Sequence, residues 1–308
     1  MSSSSLLTIQ NQIFIYGYSI CVILGNIGNV LIVILLSRQR QNPCSIYLIN
    51  LAIMNDLYLI LNSFVQIFPF SYSDQSLRVF IFCKLRLYLS NIFGQLAKTM
   101  LVFACIDRFM ITSDRATIRA LSTPKRAKRF VLLAFIFWII FPIHIPIMIT
   151  INNGQCGAFD IYARIYSIYI IIFFGFIPSI LLSIFGYMTY RNMRKRRIRI
   201  QPIVHNSIQR RDRNLLVIVI SEVFIYVITA TPLPLFLLEM MISQYILINT
   251  SIQSLQTQGF IINVTYLLLM INSTAPFYIY FISSKVFRQD VKQLIKNIYQ
   301  KIRRYILH

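Results

Sequence analysis

Apolar residues in this chain gather into long runs rather than the alternating stripes of a soluble core. A hydrocarbon layer about 30 Å thick takes roughly 20 apolar residues of helix to cross. Seven runs meet that length, at about 13 to 37, 46 to 70, 82 to 111, 130 to 151, 161 to 190, 215 to 243 and 258 to 283. The third is the least regular, because Lys84, Arg86 and Lys98 interrupt it. The pattern predicts an all-α membrane protein, a seven-transmembrane helix bundle over 13–283, with a short tail over 1–12 and a last segment over 284–308. That last segment repeats Val286, Phe287, Val291, Leu294, Ile295, Ile298 and Ile302 at helical spacing between Lys and Arg. It reads as an amphipathic helix lying on membrane lipid, with a solvated basic tail as the alternative.

Composition agrees with the runs. Of the 308 residues 57% are hydrophobic and 13% charged, and the mean hydropathy is +0.66. Soluble domains carry about 25% charged residues. The net charge of +21 is therefore read first as a membrane signal. Nucleic acid is an unsuitable partner, since no polar soluble domain exists to carry a phosphate-binding patch.

The charge is also asymmetric. Segments 37–45, 112–129, 191–214 and 284–308 hold 24 of the 30 Lys and Arg residues, against four or five on the opposite side. Basic loops stay inside, so that side is expected to face the cytoplasm, with the C-terminus there and the N-terminus outside. `MSSSSLLTIQNQ` has no basic residue and lacks the charged start of a cleaved signal peptide, so the first helix is expected to act as an uncleaved anchor. The three histidines, His144, His205 and His308, are scattered and pair with no nucleophile or ligand cluster. The chain is accordingly expected not to be an enzyme and to need no cofactor and no metal.

One motif stands out in `TMLVFACIDRFMITSD`, where an apolar run ends in Asp107, Arg108 and Phe109. Cys83 lies 25 residues before Arg108. With seven runs and an outside N-terminus, these features resemble the rhodopsin-like (class A) G-protein-coupled receptors, along essentially the whole chain. The resemblance implies a plasma-membrane receptor that takes an extracellular ligand and activates a heterotrimeric G protein by outward movement of the sixth helix. It implies that Arg108 is held by Asp107 at rest and then released, with Asp212 as a second acidic partner and Tyr280 in the place of the family's seventh-helix tyrosine. It also implies a disulfide from Cys83 to Cys156. Asn29 in `GNIGNVLIV`, Trp138, Pro178, Pro232 and Pro276 stand as landmarks of the first, fourth, fifth, sixth and seventh helices. Pro178 reads equally as a simple kink.

Departures accompany the likeness. Counting from Asn50 in `YLINLAIMNDLYLI` puts Asn55 where the family has a membrane aspartate, with Asp56 one residue later, and one residue turns a side chain by about 100°. Either of the two faces the bundle. Ala275 replaces the asparagine of Asn-Pro-x-x-Tyr, and `YVITATPLPLF` has no tryptophan beside Pro232. Lys98, ten positions from Arg108, sits about 15 Å deeper. It must find an acid, Glu222 or Asp56, or lose its proton. One reading makes it a tethered cation where many relatives bind sodium; the other places it in a wet cavity. With Asn29, Asn55, Asn272 and Ser273 these residues form an expected intramembrane polar network.

Ser90 stands 18 residues before Arg108, where amine receptors resembling this chain carry a carboxylate, and 258–283 holds no lysine for an opsin's Schiff base. The segments `NST` and `SSKVFRQD` look most like peptide receptors, including invertebrate neuropeptide and FMRFamide-type relatives. A peptide ligand is therefore expected, with Ser90, Arg86, Arg164 and Glu239 as candidate contacts. Asn249 in `NTS` is a candidate glycosylation site. Two alternatives stand beside this reading: a transporter, which would carry internal repeats, and a receptor-fold protein that binds ligand but couples weakly.

Overall fold

The computed structural model describes residues 3–38, 41–67, 77–152, 154–199, 207–246 and 252–306. Six helical spans are long and apolar enough to cross a membrane, and a bent helix pair makes a seventh. The first three are single helices, α1 (Ser3–Ser37), α2 (Pro43–Ile67) and α3 (Leu77–Thr112). A short α4 (Ala116–Arg119) leads to the fourth span, in which α5 (Pro124–Ile140) runs through a 3₁₀ turn into α6 (His144–Met148). The fifth joins α7 (Asp160–Tyr169) to α8 (Ile177–Arg199), and the sixth joins α9 (Ser207–Ala230) to α10 (Pro232–Ile246). The seventh joins α11 (Ile252–Thr274) to α12 (Pro276–Ser283), and α13 (Lys285–Ile306) follows.

At the basic end, local chemistry starts three of the helices. Asn42 accepts from the Cys44 amide at 3.0 Å and Pro43 opens α2. Thr123 accepts from the Arg126 amide at 3.4 Å and Pro124 opens α5. The Ser284 hydroxyl accepts from the Phe287 amide at 3.1 Å and starts α13. A side-chain oxygen satisfies an orphan amide in each case, and proline at the first position gives up nothing.

Two expected boundaries are corrected. The fourth run does not stay helical to 151: Thr150–Asn152 form β1, paired antiparallel with β2 (Gln155–Gly157). Gly154, at φ 72°, supplies the left-handed turn. The seventh run is not one helix: α11 and α12 meet at 52°. Pro276 cannot donate to the carbonyl four residues back.

α3 is the axis of the bundle and packs on α2, α5, α8 and α9. α1 lies against α2 and α11. It also approaches α12, where Gly28 makes room, because a Cβ there would stand 2.8 Å from Phe277 Cβ. Outward faces carry exposed Ile23, Ile27, Leu132, Ile136, Ile180 and Ile184, as expected where lipid is the solvent. α13 buries Phe287, Val291 and Leu294 but leaves Ile295, Ile298 and Tyr299 exposed.

Candidate functional site

The site has three levels along α3. At the basic end, Arg108 is 1% exposed and donates to Asp107 Oδ2 at 2.7 Å and to Asn42 Oδ1 at 3.1 Å. The other oxygen of Asp107 accepts from Ser122 Oγ at 2.5 Å. One carboxylate thus takes an arginine and a hydroxyl, and one asparagine both caps α2 and holds the guanidinium. Five fixed donors let a guanidinium bridge such partners. Asp212 lies on α9, and its side chain is outside the described residues.

At mid-depth, Lys98 is 7% exposed and Glu222 5% exposed. Both line a cavity of about 20 Å³ with Asn55, Asn272 and Ser273, room for about one water. The expected Lys98 ion pair is corrected: among the described residues Lys98 contacts no acid. Its Nζ donates to the Phe174 carbonyl at 3.2 Å and lies against the Phe174 ring. Pro178 explains that acceptor. Lacking an N–H, it leaves the carbonyl four residues back, that of Phe174, open. The backbone there loosens into a π turn over Ile170–Phe176, and the same carbonyl accepts Tyr226 Oη at 3.3 Å. Gly94 makes room for the ring, since a Cβ there would stand 2.9 Å from Phe174 Cζ. Pro178 is thus more than a kink.

Glu222 is engaged elsewhere, by the Tyr280 hydroxyl. Tyr280 also sets its ring edge-on to Phe287 at 5.6 Å, tying the seventh span to α13. Asn272 donates to Thr229 Oγ1 at 2.8 Å and Asn29 to the Ser273 carbonyl at 3.1 Å. The Asn55 and Asp56 alternative resolves in space: Asn55 faces the small cavity, whereas Asp56 stands beside Asn29. The expected network is joined through Asn29: it stands beside Asp56 and donates to the carbonyl of Ser273, which lines the cavity shared by Lys98, Asn55, Glu222 and Asn272.

At the hairpin end, Cys83 and Cys156 form the expected disulfide, with Cα atoms 5.8 Å apart. Beneath it lies a cavity of about 280 Å³. Tyr58, Tyr166, Phe174 and Tyr266 supply its rings, and Asn62, Ser90, Asn91 and Ser167 its polar groups. Of the four expected ligand contacts, Ser90 lines it and donates to Asn62 Oδ1 at 3.2 Å. Arg86, Arg164 and Glu239 do not line it; Arg164 and Glu239 are exposed, and Glu239 accepts from Ser243 Oγ at 3.1 Å. Asn249 lies outside the described residues. Trp138 is buried and donates to Thr99 Oγ1 at 2.8 Å, fastening α5 to α3.

Phe174, Asn42, Ser122 and the tyrosine ring set were absent from the sequence reading. Asn42-Pro43 is a legible cap, and counting four back from Pro178 reaches Phe174. Neither signal names the distant side chain that uses the group.

Seven spans, a disulfide over a cavity at one end and a buried arginine–aspartate pair at the other define a seven-helix membrane receptor. The chain belongs to the rhodopsin family of seven-transmembrane receptors, whose pattern it matches over residues 25–280. It is a multi-pass plasma-membrane protein and not an enzyme. Similar proteins include melanopsin-A of Danio rerio, 28% identical over 188 residues, covering 56% of this chain and 31% of that protein. They also include the alpha-2A adrenergic receptor of Danio rerio, 26% identical over 187 residues, covering 58% of this chain and 46% of that protein. The chain spans less than half the length of these curated relatives.

Proposed function

We propose that the protein binds an extracellular ligand at the hairpin end and activates a heterotrimeric G protein at the basic end. The N-terminus then lies outside and the C-terminus in the cytoplasm, as the basic loops require. The observation that carries this reading is the buried Asp107–Arg108–Asn42 cluster at the end where the Lys and Arg residues collect. An arginine held by one neighbouring carboxylate and one cap residue can change partners when α9 moves. The exposed Ile295, Ile298 and Tyr299 of α13, flanked by Lys292 and Lys296, suit an anionic inner leaflet.

In this mechanism Lys98 is the built-in cation of the bundle. Phe174 joins both cavities, so a ligand pressing on its ring disturbs the groups that hold Lys98. Lys98 then turns to Glu222, Tyr280 loses its acceptor, and the sixth and seventh spans part. We take the ligand to be a peptide, on the likeness of `NST` and `SSKVFRQD` to peptide receptors and on the charged rim of Arg164 and Glu239. The lack of an acid at Ser90 argues against an amine, and the lack of a seventh-span lysine against retinal, whatever the names of the relatives.

The test is a peptide library applied to membranes containing the chain and a G protein, read as GDP–GTP exchange. Stimulated exchange that Arg108→Ala abolishes supports the proposal. Binding without exchange would favour the weak coupler, a reading that the missing tryptophan beside Pro232 keeps in view. Solute flux without exchange would favour a transporter, against which family membership weighs.

A further inference from the structure

The walls of the outer cavity carry information about its occupant. Among the described residues that line it, none is charged. Burying an ammonium or carboxylate there without a partner would cost several kcal/mol. A cation meets a second obstacle, because Lys98 lies just beyond the Phe174 floor and Arg86 stands near Tyr266. An anion finds Lys98 screened by the Phe174 ring and already bound to its carbonyl, and Arg86 outside the lining.

The polar groups are partly committed. Tyr169 donates to Asn91 Oδ1 at 2.7 Å, and the Asn91 amide also stands against the Tyr166 hydroxyl, which leaves one of its two hydrogens to donate. Ser167 spends its hydrogen on the Ala163 carbonyl at 2.9 Å, which leaves its oxygen to accept. A donor and an acceptor between tyrosine rings match a neutral group that carries both, as a carboxamide does.

Resting on the receptor reading above, we propose that the portion of the ligand entering this cavity is uncharged, an aromatic group bearing a carboxamide or an equivalent neutral donor–acceptor pair. Charged parts of a peptide stay at the rim. The rings give stacking area and Asn91 with Ser167 reads the amide.

Three compounds of one shape test this on the full chain in detergent: 3-phenylpropanamide, 3-phenylpropylamine and 3-phenylpropanoate, each at millimolar concentration, read by thermal unfolding. The amide is expected to stabilise the protein. At about ten times its Kd it multiplies the folded-to-unfolded ratio roughly elevenfold, and the amine and the acid leave that ratio unchanged. Equal or larger stabilisation by either charged compound overturns the proposal, as does none by all three.

Tyr266→Ala, at a ring that is 41% exposed, and Ala163→Phe, which fills the cavity, are each expected to remove the amide effect. Stabilisation that persists in a folded variant places binding elsewhere and overturns the proposal. The readout needs no G protein, so its failure leaves the receptor reading standing, while failure of ligand-stimulated exchange leaves this result intact.

Discussion

Two basic residues are buried on α3 ten residues apart, and their side chains meet different partners. Arg108 has a carboxylate at 2.7 Å, an amide oxygen at 3.1 Å and a hydroxyl behind the carboxylate. Lys98 has one carbonyl at 3.2 Å and the face of one ring. A carbonyl dipole with a ring compensates a buried charge less completely than a carboxylate does. The contrast separates a lock from a poised group: Arg108 is held by an acid, whereas Lys98 shares a cavity with an acid that another residue is using.

The largest break in the contrast comes at Asp107. Replacing it with Ala leaves a buried guanidinium without its carboxylate, and removing one partner of a buried pair costs about 3–5 kcal/mol. A fall in Tm of purified protein and a higher basal rate of nucleotide exchange are expected. An unchanged Tm would mean the pair contributes nothing.

Lys98 should answer with the opposite sign. Lys98→Met keeps the volume and removes a buried amine that has no acidic partner, so stability should hold or rise while ligand-stimulated exchange drops. A Tm loss like that of the Asp107 variant would place Lys98 in a pair as strong as the arginine's.

Asn42→Ala removes a helix cap and one arginine contact together, with an expected cost of about 1–2 kcal/mol. Adding Asp107→Ala should then cost a different amount than it does alone, because both residues hold one guanidinium. A double-mutant cycle in Tm measures that coupling, and strict additivity would deny it.

The smallest effect is reserved for Pro178. Pro178→Ala returns an N–H to α8 that competes with Lys98 for the Phe174 carbonyl. The net change in stability should stay within about 1 kcal/mol. The informative readout is basal exchange, which should rise as Lys98 is freed toward Glu222.

The spans, their caps and the arginine end were legible along the chain because each depends on short-range pattern. A run of twenty apolar residues needs no partner to be read, and neither does Asn42-Pro43 or Asp107-Arg108. The cysteine pair was legible through family spacing. What the sequence misplaced involved contacts across long separations. Lys98 and Phe174 are 76 residues apart, and Tyr280 and Glu222 are 58 apart. A buried lysine among several acids gives no order of preference, so the acid seemed the natural partner. The carbonyl prevailed because Pro178 left it open and Tyr280 had taken the acid. The ring-lined cavity went unread for a related reason: charge marks a rim residue along the chain, while tyrosines spaced over three helices form a cavity only once those helices converge.

By itself, the sequence determined that the chain crosses a membrane seven times and that a charged pair closes α3, since hydropathy and the cost of bare charge act within a few residues. The tertiary structure alone decided which buried groups face one another. Helix rotation and the breaks at Pro178, Pro232 and Pro276 set those pairings, and a single residue of rotation separates Asn55 in the cavity from Asp56 beside Asn29.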